Sequence, residues 1–259
     1  MKRMNKALSL LSAAVLGCSM LLPVSAQAAG ILGDVDGNSI INAEDATEIL
    51  KEAARRGAGT VNKDAAFEAA ADVNKDGKIT ADDALEILKY ASKVGTGKMM
   101  ASLEDYLNYQ KAGYTPSYKT RKVYGMDMTQ QKDDNFNGEF LTLTFMVKDA
   151  AIASRFPVRI VKTDVASWEK VVTLHPEIIQ GEVGIGVTPN TQPTMLSKDF
   201  CMKVNSTVAQ KGGVVNVTVN VSGNPGFCGY ILDVAYDQNA MELASVATGK
   251  DYHGIAELN

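Results

Sequence analysis

The chain has 259 residues, 22% of them charged, and a formal net charge of -4. That is ordinary globular composition and enough length for more than one domain. The acidic balance gives no support for a nucleic-acid partner, because a negative surface repels phosphate backbones and tolerates cations.

The first 29 residues read as a secretory signal. Lys2, Arg3 and Lys6 form a basic start, Ala7 to Leu22 is apolar, and Ser25-Ala26-Gln27-Ala28 supplies small residues for cleavage near Ala28. Removing the three basic residues takes the formal charge from -4 to -7. Val15-Leu16-Gly17-Cys18 loosely resembles a lipoprotein box that would lipidate Cys18. The apolar run continues past it to the Ala-Gln-Ala site, so soluble export is the expectation. Cys201 and Cys228 remain, either as a disulfide or as two thiols buried as small hydrophobes.

Residues 30–94 are rich in Ala, Asp, Lys and Glu and hold an internal repeat. Asp34-Val35-Asp36-Gly37-Asn38-Ser39-Ile40-Ile41-Asn42-Ala43-Glu44-Asp45 recurs as Asp72-Val73-Asn74-Lys75-Asp76-Gly77-Lys78-Ile79-Thr80-Ala81-Asp82-Asp83. Each copy runs into a similar helix. Ile49, Leu50 and Ala53 in the first, and Ile87, Leu88 and Ala91 in the second, share one spacing.

A twelve-residue loop ligates calcium from positions 1, 3, 5, 7, 9 and 12, because the ion wants six to eight oxygens in flexible geometry. The first loop offers Asp34, Asp36, Asn38, the Ile40 carbonyl, Asn42 and Asp45. The second offers Asp72, Asn74, Asp76, the Lys78 carbonyl, Thr80 and Asp83. Two calcium ions are therefore expected. Position 6 needs a sharp turn: Gly77 fits, Ser39 does not. Position 8 is Ile41 or Ile79, apolar where paired loops form a short strand contact. Two acidic turns capping helices without metal would be the plain alternative, and the repetition of the whole ligand pattern counts against it.

A loop followed by a single helix, present twice, resembles the dockerin family. The resemblance covers residues 31–93 and is most specific at Gly33-Asp34-Val35-Asp36 and Ala71-Asp72-Val73-Asn74-Lys75-Asp76-Gly77-Lys78-Ile79. It implies a calcium-dependent module that binds a cohesin. Its contact residues would include Ala43, Glu44, Ala81 and Asp82, joined by Lys51 and Lys89 on the exposed helix sides. The internal near-symmetry implies two binding orientations related by a half turn.

Residues 95–135, with Gly95, Gly97, Gly113 and Pro116, read as a linker or irregular segment. From Phe136 the period becomes two. Leu141, Leu143, Phe145 and Val147 alternate with Thr142, Thr144 and Met146, as a half-buried strand requires. Val215, Val217, Val219 and Val221 form a second such strand, and Tyr230, Leu232, Val234 and Tyr236 a third. With turns at Gly212-Gly213 and Asn224-Pro225-Gly226, they argue a β-sandwich.

This half resembles a cohesin in an unusual order. Residues 136–188 are similar to its second half, residues 189–198 are a linker, and residues 199–259 are similar to its first half, truncated. Three accounts compete: a fragment of a longer scaffoldin, a divergent first cohesin, or two halves closing into one rearranged sandwich. The fragment account is favoured. The fold class expected is multidomain: a small α dockerin of two loop-helix repeats, and an all-β cohesin-like sandwich left incomplete.

Catalysis finds little footing. His175 and His253 have no evident nucleophile partner, and nothing local pairs Glu139, Glu169, Glu177 and Glu182 as an acid and base. Gly95-Thr96-Gly97-Lys98 mimics a phosphate loop but follows a helix and reads as its stop. Trp168 and several tyrosines could stack on sugars, though packing roles are the plainer reading. The expectation is a non-catalytic secreted assembly protein of polysaccharide breakdown. Its dockerin would meet a scaffoldin cohesin, and its cohesin-like part would receive dockerin-bearing enzymes. The alternatives are a dockerin tethered to a glycoside hydrolase, or a carbohydrate-binding sandwich delivered by a dockerin.

Overall fold

The computed structural model describes residues 31–61, 64–97, 101–126, 132–195 and 198–259. The expected signal segment, Cys18 and Lys98 lie outside them. The helical region comes first: α1 (Ala43–Gly57), α2 (Ala65–Ala71), α3 (Ala81–Gly95) and α4 (Leu103–Lys111). Each begins where the sequence offers a capping oxygen. Asn42 caps α1 and Thr80 caps α3, both in capping boxes closed by Asp45 and Asp83. Asp64 caps α2 and Ser102 caps α4.

α1 and α3 pack against one another through Ala46, Ile49, Ala84 and Ile87, all buried. Burying each Ile is worth about 1.5–3 kcal/mol. Leu50 and Leu88 share their neighbours' spacing but point outward, at 44% and 42% exposed. The second loop differs from the expected loop-helix unit, because α2 runs directly into it and only the first loop starts without a described helix before it.

The β region holds β1 (Tyr118–Met126), β2 (Gly138–Val147), β3 (Ser154–Ser167), β4 (Val172–Leu174), β5 (Glu177–Ile179) and β6 (Gly181–Ile185). It continues with β7 (Cys201–Val204), β8 (Thr207–Ala209), β9 (Val214–Ser222), β10 (Gly229–Asp237), β11 (Met241–Thr248) and β12 (Glu257–Leu258). One sheet runs β12-β1-β10-β3-β6-β8, with β4 on β3; the other runs β11-β2-β9-β7-β5. Pairing is antiparallel except for β5 with β7 and β6 with β8.

The predicted alternations hold. Leu141, Leu143, Phe145 and Val147 are buried in β2, as are the four valines of β9 and the apolar set of β10. A sandwich core forms because both inner faces carry these residues. Phe140 sits at its centre, with ring contacts to Phe136, Phe227, Tyr230 and Tyr252.

Two expectations are corrected. Residues 95–135 are not an irregular linker, for they contain α4 and β1. Leu103, Tyr106 and Tyr109 give α4 a buried stripe, while β1 buries only Val123 and Gly125 deeply, too few for a visible period. The segments 136–188 and 199–259 are not separate half-domains but close into one sandwich, as in the third account. Strands from 118–185 and from 201–258 interleave, so that β2 lies between β9 and β11, and β10 lies between β1 and β3. Cys201 carries a buried free thiol whose pKa burial pushes up.

Candidate metal loops and docking faces

The two loops adopt one backbone path. Left-handed residues stand at position 4, Gly37 (φ 75) and Lys75 (φ 60), and at position 6, Ser39 (φ 66) and Gly77 (φ 81). Each loop therefore has one glycine where the turn demands it and one residue with a Cβ where a glycine would be easier.

Asp45 ties the first loop together. Its Oδ1 accepts from the Val35 (2.9 Å) and Asp36 (3.4 Å) amides, and its Oδ2 from the Asn42 amide at 2.9 Å. Asp34 Oδ2 accepts from the Ser39 amide at 2.9 Å. Asp36 and Asn38 each accept from the amide two residues on. The second loop repeats this. Asp83 Oδ1 accepts from Asn74 (3.1 Å) and Oδ2 from Thr80 (2.9 Å), and Asp72 Oδ2 accepts from Gly77 at 3.0 Å. Asn74 accepts from Asp76, and Asp76 from Lys78.

Asp34, Asp36 and Asp45 bring carboxylate oxygens within 4.8 Å of one another, an arrangement able to hold a metal ion. Asp34 is only 7% exposed, and its Oδ1 is buried with no hydrogen-bond partner among the described residues. A buried carboxylate oxygen left unsatisfied costs several kcal/mol unless something meets it, and a cation would. The donor set is all oxygen, which suits a hard ion rather than zinc or copper. The short strand contact expected between Ile41 and Ile79 is not formed; Ile79 is buried and Ile41 packs against the same core.

Ala43, Glu44, Lys51, Ala81, Asp82 and Lys89 are all exposed on α1 and α3. Lys51 bonds Glu48 at 2.6 Å and Lys89 bonds Glu86 at 2.7 Å, the second bond raising the lysine's pKa above its ordinary value. Leu50, Leu85 and Leu88 add exposed apolar surface to the same helices.

Residues not anticipated from the sequence hold this region in place. Glu52 is fully buried on α1 and pairs with Arg55 and Arg56, and Arg56 reaches Glu68 of α2 at 2.9 Å. α4 joins the helices to the sandwich. Its buried Asp105 accepts from Ser102 (2.6 Å) and Ser154 (3.2 Å), Tyr109 donates to the Arg155 carbonyl at 2.6 Å, and Asn108 donates to Ala153 and Ser154. The Ser102-to-Asp105 capping spacing was a readable signal for this helix. His175 is exposed, and His253 Nδ1 lies 3.3 Å from Asp134.

The family model of the dockerin type I domain matches residues 32–91, and that of the cohesin domain matches residues 200–257. The chain thus carries a type I dockerin domain followed by a cohesin domain, the two complementary kinds of module in cellulosome-type protein–protein assembly, and both are non-catalytic. No curated protein matches the chain. The cohesin match takes in β7 to β11 and reaches the first residue of β12, and β1 to β6 supply the remaining strands of both sheets. Among the described residues no helix is long and apolar enough to cross a membrane.

Proposed function

We propose that this protein is a calcium-dependent adaptor, exported to hold polysaccharide-degrading enzymes in an extracellular complex. The observation that carries the reading is the first loop, where the carboxylates of Asp34, Asp36 and Asp45 converge and Asp34 Oδ1 is left unsatisfied among the described residues. The ion in the first loop would be held by Asp34, Asp36, Asn38, the Ile40 carbonyl, Asn42 and Asp45. The one in the second would be held by Asp72, Asn74, Asp76, the Lys78 carbonyl, Thr80 and Asp83. Calcium supplies charge neutralisation there: it lets the acidic groups sit together so that α1 and α3 keep their packing. Either Ala43, Glu44 and Lys51 of the first repeat, or Ala81, Asp82 and Lys89 of the second, would then present a cohesin-binding face, and the cohesin domain would receive dockerin-bearing enzymes.

The test is a calcium titration of the exported chain by calorimetry, with helix content followed by circular dichroism. Two ions per chain, and helix lost on adding chelator, support the reading. No binding at millimolar calcium overturns it.

A further inference from the structure

The internal repeat suggests two equivalent docking faces, but the surroundings of the two copies differ. Glu48 and Glu86 occupy the same repeat position and bond the same lysine of their own helix. The Glu48 side chain is 41% exposed, and that of Glu86 is 19%. The cause is α4: Gln110 donates to Glu86 at 3.2 Å, and Tyr106 lies 5.7 Å from Tyr90 on the same side of α3.

A cleft of about 740 Å³ opens here. Asp82 and Glu86 form one wall, Leu107, Gln110 and Lys111 another, and Ala153 and Arg155 of the sandwich the floor. The corner is rigid, because Asp105, Asn108 and Tyr109 bolt α4 to β3 and the turn before it. Lys75 of the second loop adds a bridge to Glu104 at 3.6 Å.

A folded partner needs roughly 800 Å² of accessible, fairly flat surface on each side. A module seated over Asp82 and Glu86 would have to share that ground with α4 and the sandwich edge, whose residues line the same cleft. Glu44 and Glu48 of the first repeat do not line that cleft. We infer that the chain docks its cohesin partner in one orientation, centred on the first repeat around Ala43, Glu44, Leu50 and Lys51, and that its own sandwich closes the second orientation. The inference rests on the proposed dockerin function and fixes which half of that face is used.

The experiment uses the exported chain in calcium and a recombinant cohesin module that captures it. Two double variants are compared, Ala43→Arg with Glu44→Arg, and Ala81→Arg with Asp82→Arg. None of the four replaced side chains is a proposed metal ligand, and calcium-dependent helix content confirms that both variants fold. The first variant is expected to weaken capture about 100-fold, as loss of an interface centre does, and the second by less than about threefold. Near-silence of both variants, with loss only when all four changes are combined, means two orientations and overturns the inference. A dominant effect of the second variant overturns it too. If the unaltered chain captures no cohesin module in calcium, the functional reading falls first and the inference with it.

Discussion

Ser39 and Gly77 occupy the same turn position in two loops of the same path, and exchanging them isolates one physical effect. Ser39 stands at φ 66 and Gly77 at φ 81. Their amides make the same bond, to Asp34 and Asp72, at 2.9 and 3.0 Å. A Cβ built on Gly77 meets no heavy atom within 4 Å, so the substitution carries no collision, only backbone strain. Holding a residue with a Cβ in the left-handed region costs roughly 1–2 kcal/mol. Glycine's greater freedom in the unfolded chain offsets about 0.4–1 kcal/mol of that. Ser39→Gly should therefore stabilise by about 1 kcal/mol and Gly77→Ser should destabilise by about the same. In a chain of this size that is about 2–4 °C in the unfolding midpoint. Where calcium must impose the turn, the shift reappears as about fivefold in that loop's affinity. The assays are thermal unfolding with and without calcium, and calorimetry of the two sites. A Ser39→Gly chain no more stable than the original, or a Gly77→Ser chain that loses nothing, would refute the strain argument.

Other outcomes follow from the core and the α4 junction. Phe140→Ala removes the ring that Phe136, Phe227, Tyr230 and Tyr252 surround, and should cost about 3–5 kcal/mol in denaturant unfolding; a loss below about 1 kcal/mol would deny that the two segments share one core. Asp105→Ala strips the partners of Ser102, Ser154 and Arg155 and should cost about 2 kcal/mol, with calorimetry showing the helical and β regions melting separately. Asp251 is held below the ordinary aspartate value by the Lys250 ammonium first and the Glu139 amide second. A depressed carboxylate contributes stability above its unfolded value and loses it as pH falls through the folded one. The gap between the original chain and Asp251→Asn should thus be full above pH 3.8 and shrink below it, as acid unfolding curves will show.

The twin loops were legible because a pattern repeated over twelve residues is local: Asp34 to Asp45 and Asp72 to Asp83 needed no knowledge of distant partners. The strands were legible singly, since period two survives in Leu141 to Val147 and Val215 to Val221. Their order was not. β2 has both neighbours more than sixty residues away, and nothing in its own sequence names them. α4 was overlooked because the Gly and Pro residues around it outweighed the Ser102 cap. The one-sided cover on α3 depends on Gln110 meeting Glu86, a contact the near-identity of the two repeats conceals.

The interleaving of the sandwich also sets a timetable. A ribosome completes β2 at Val147, yet β9 begins 67 residues later at Val214. At synthesis rates of 5–20 residues per second, that is a wait of about 3–13 s. Through it Leu141, Leu143 and Phe145 lie on a strand whose two edges are both open, the form of chain most prone to pair with a stranger. The finished fold leaves β2 enclosed on both sides, but the nascent one needs company until the second segment arrives. A holding chaperone would meet that need.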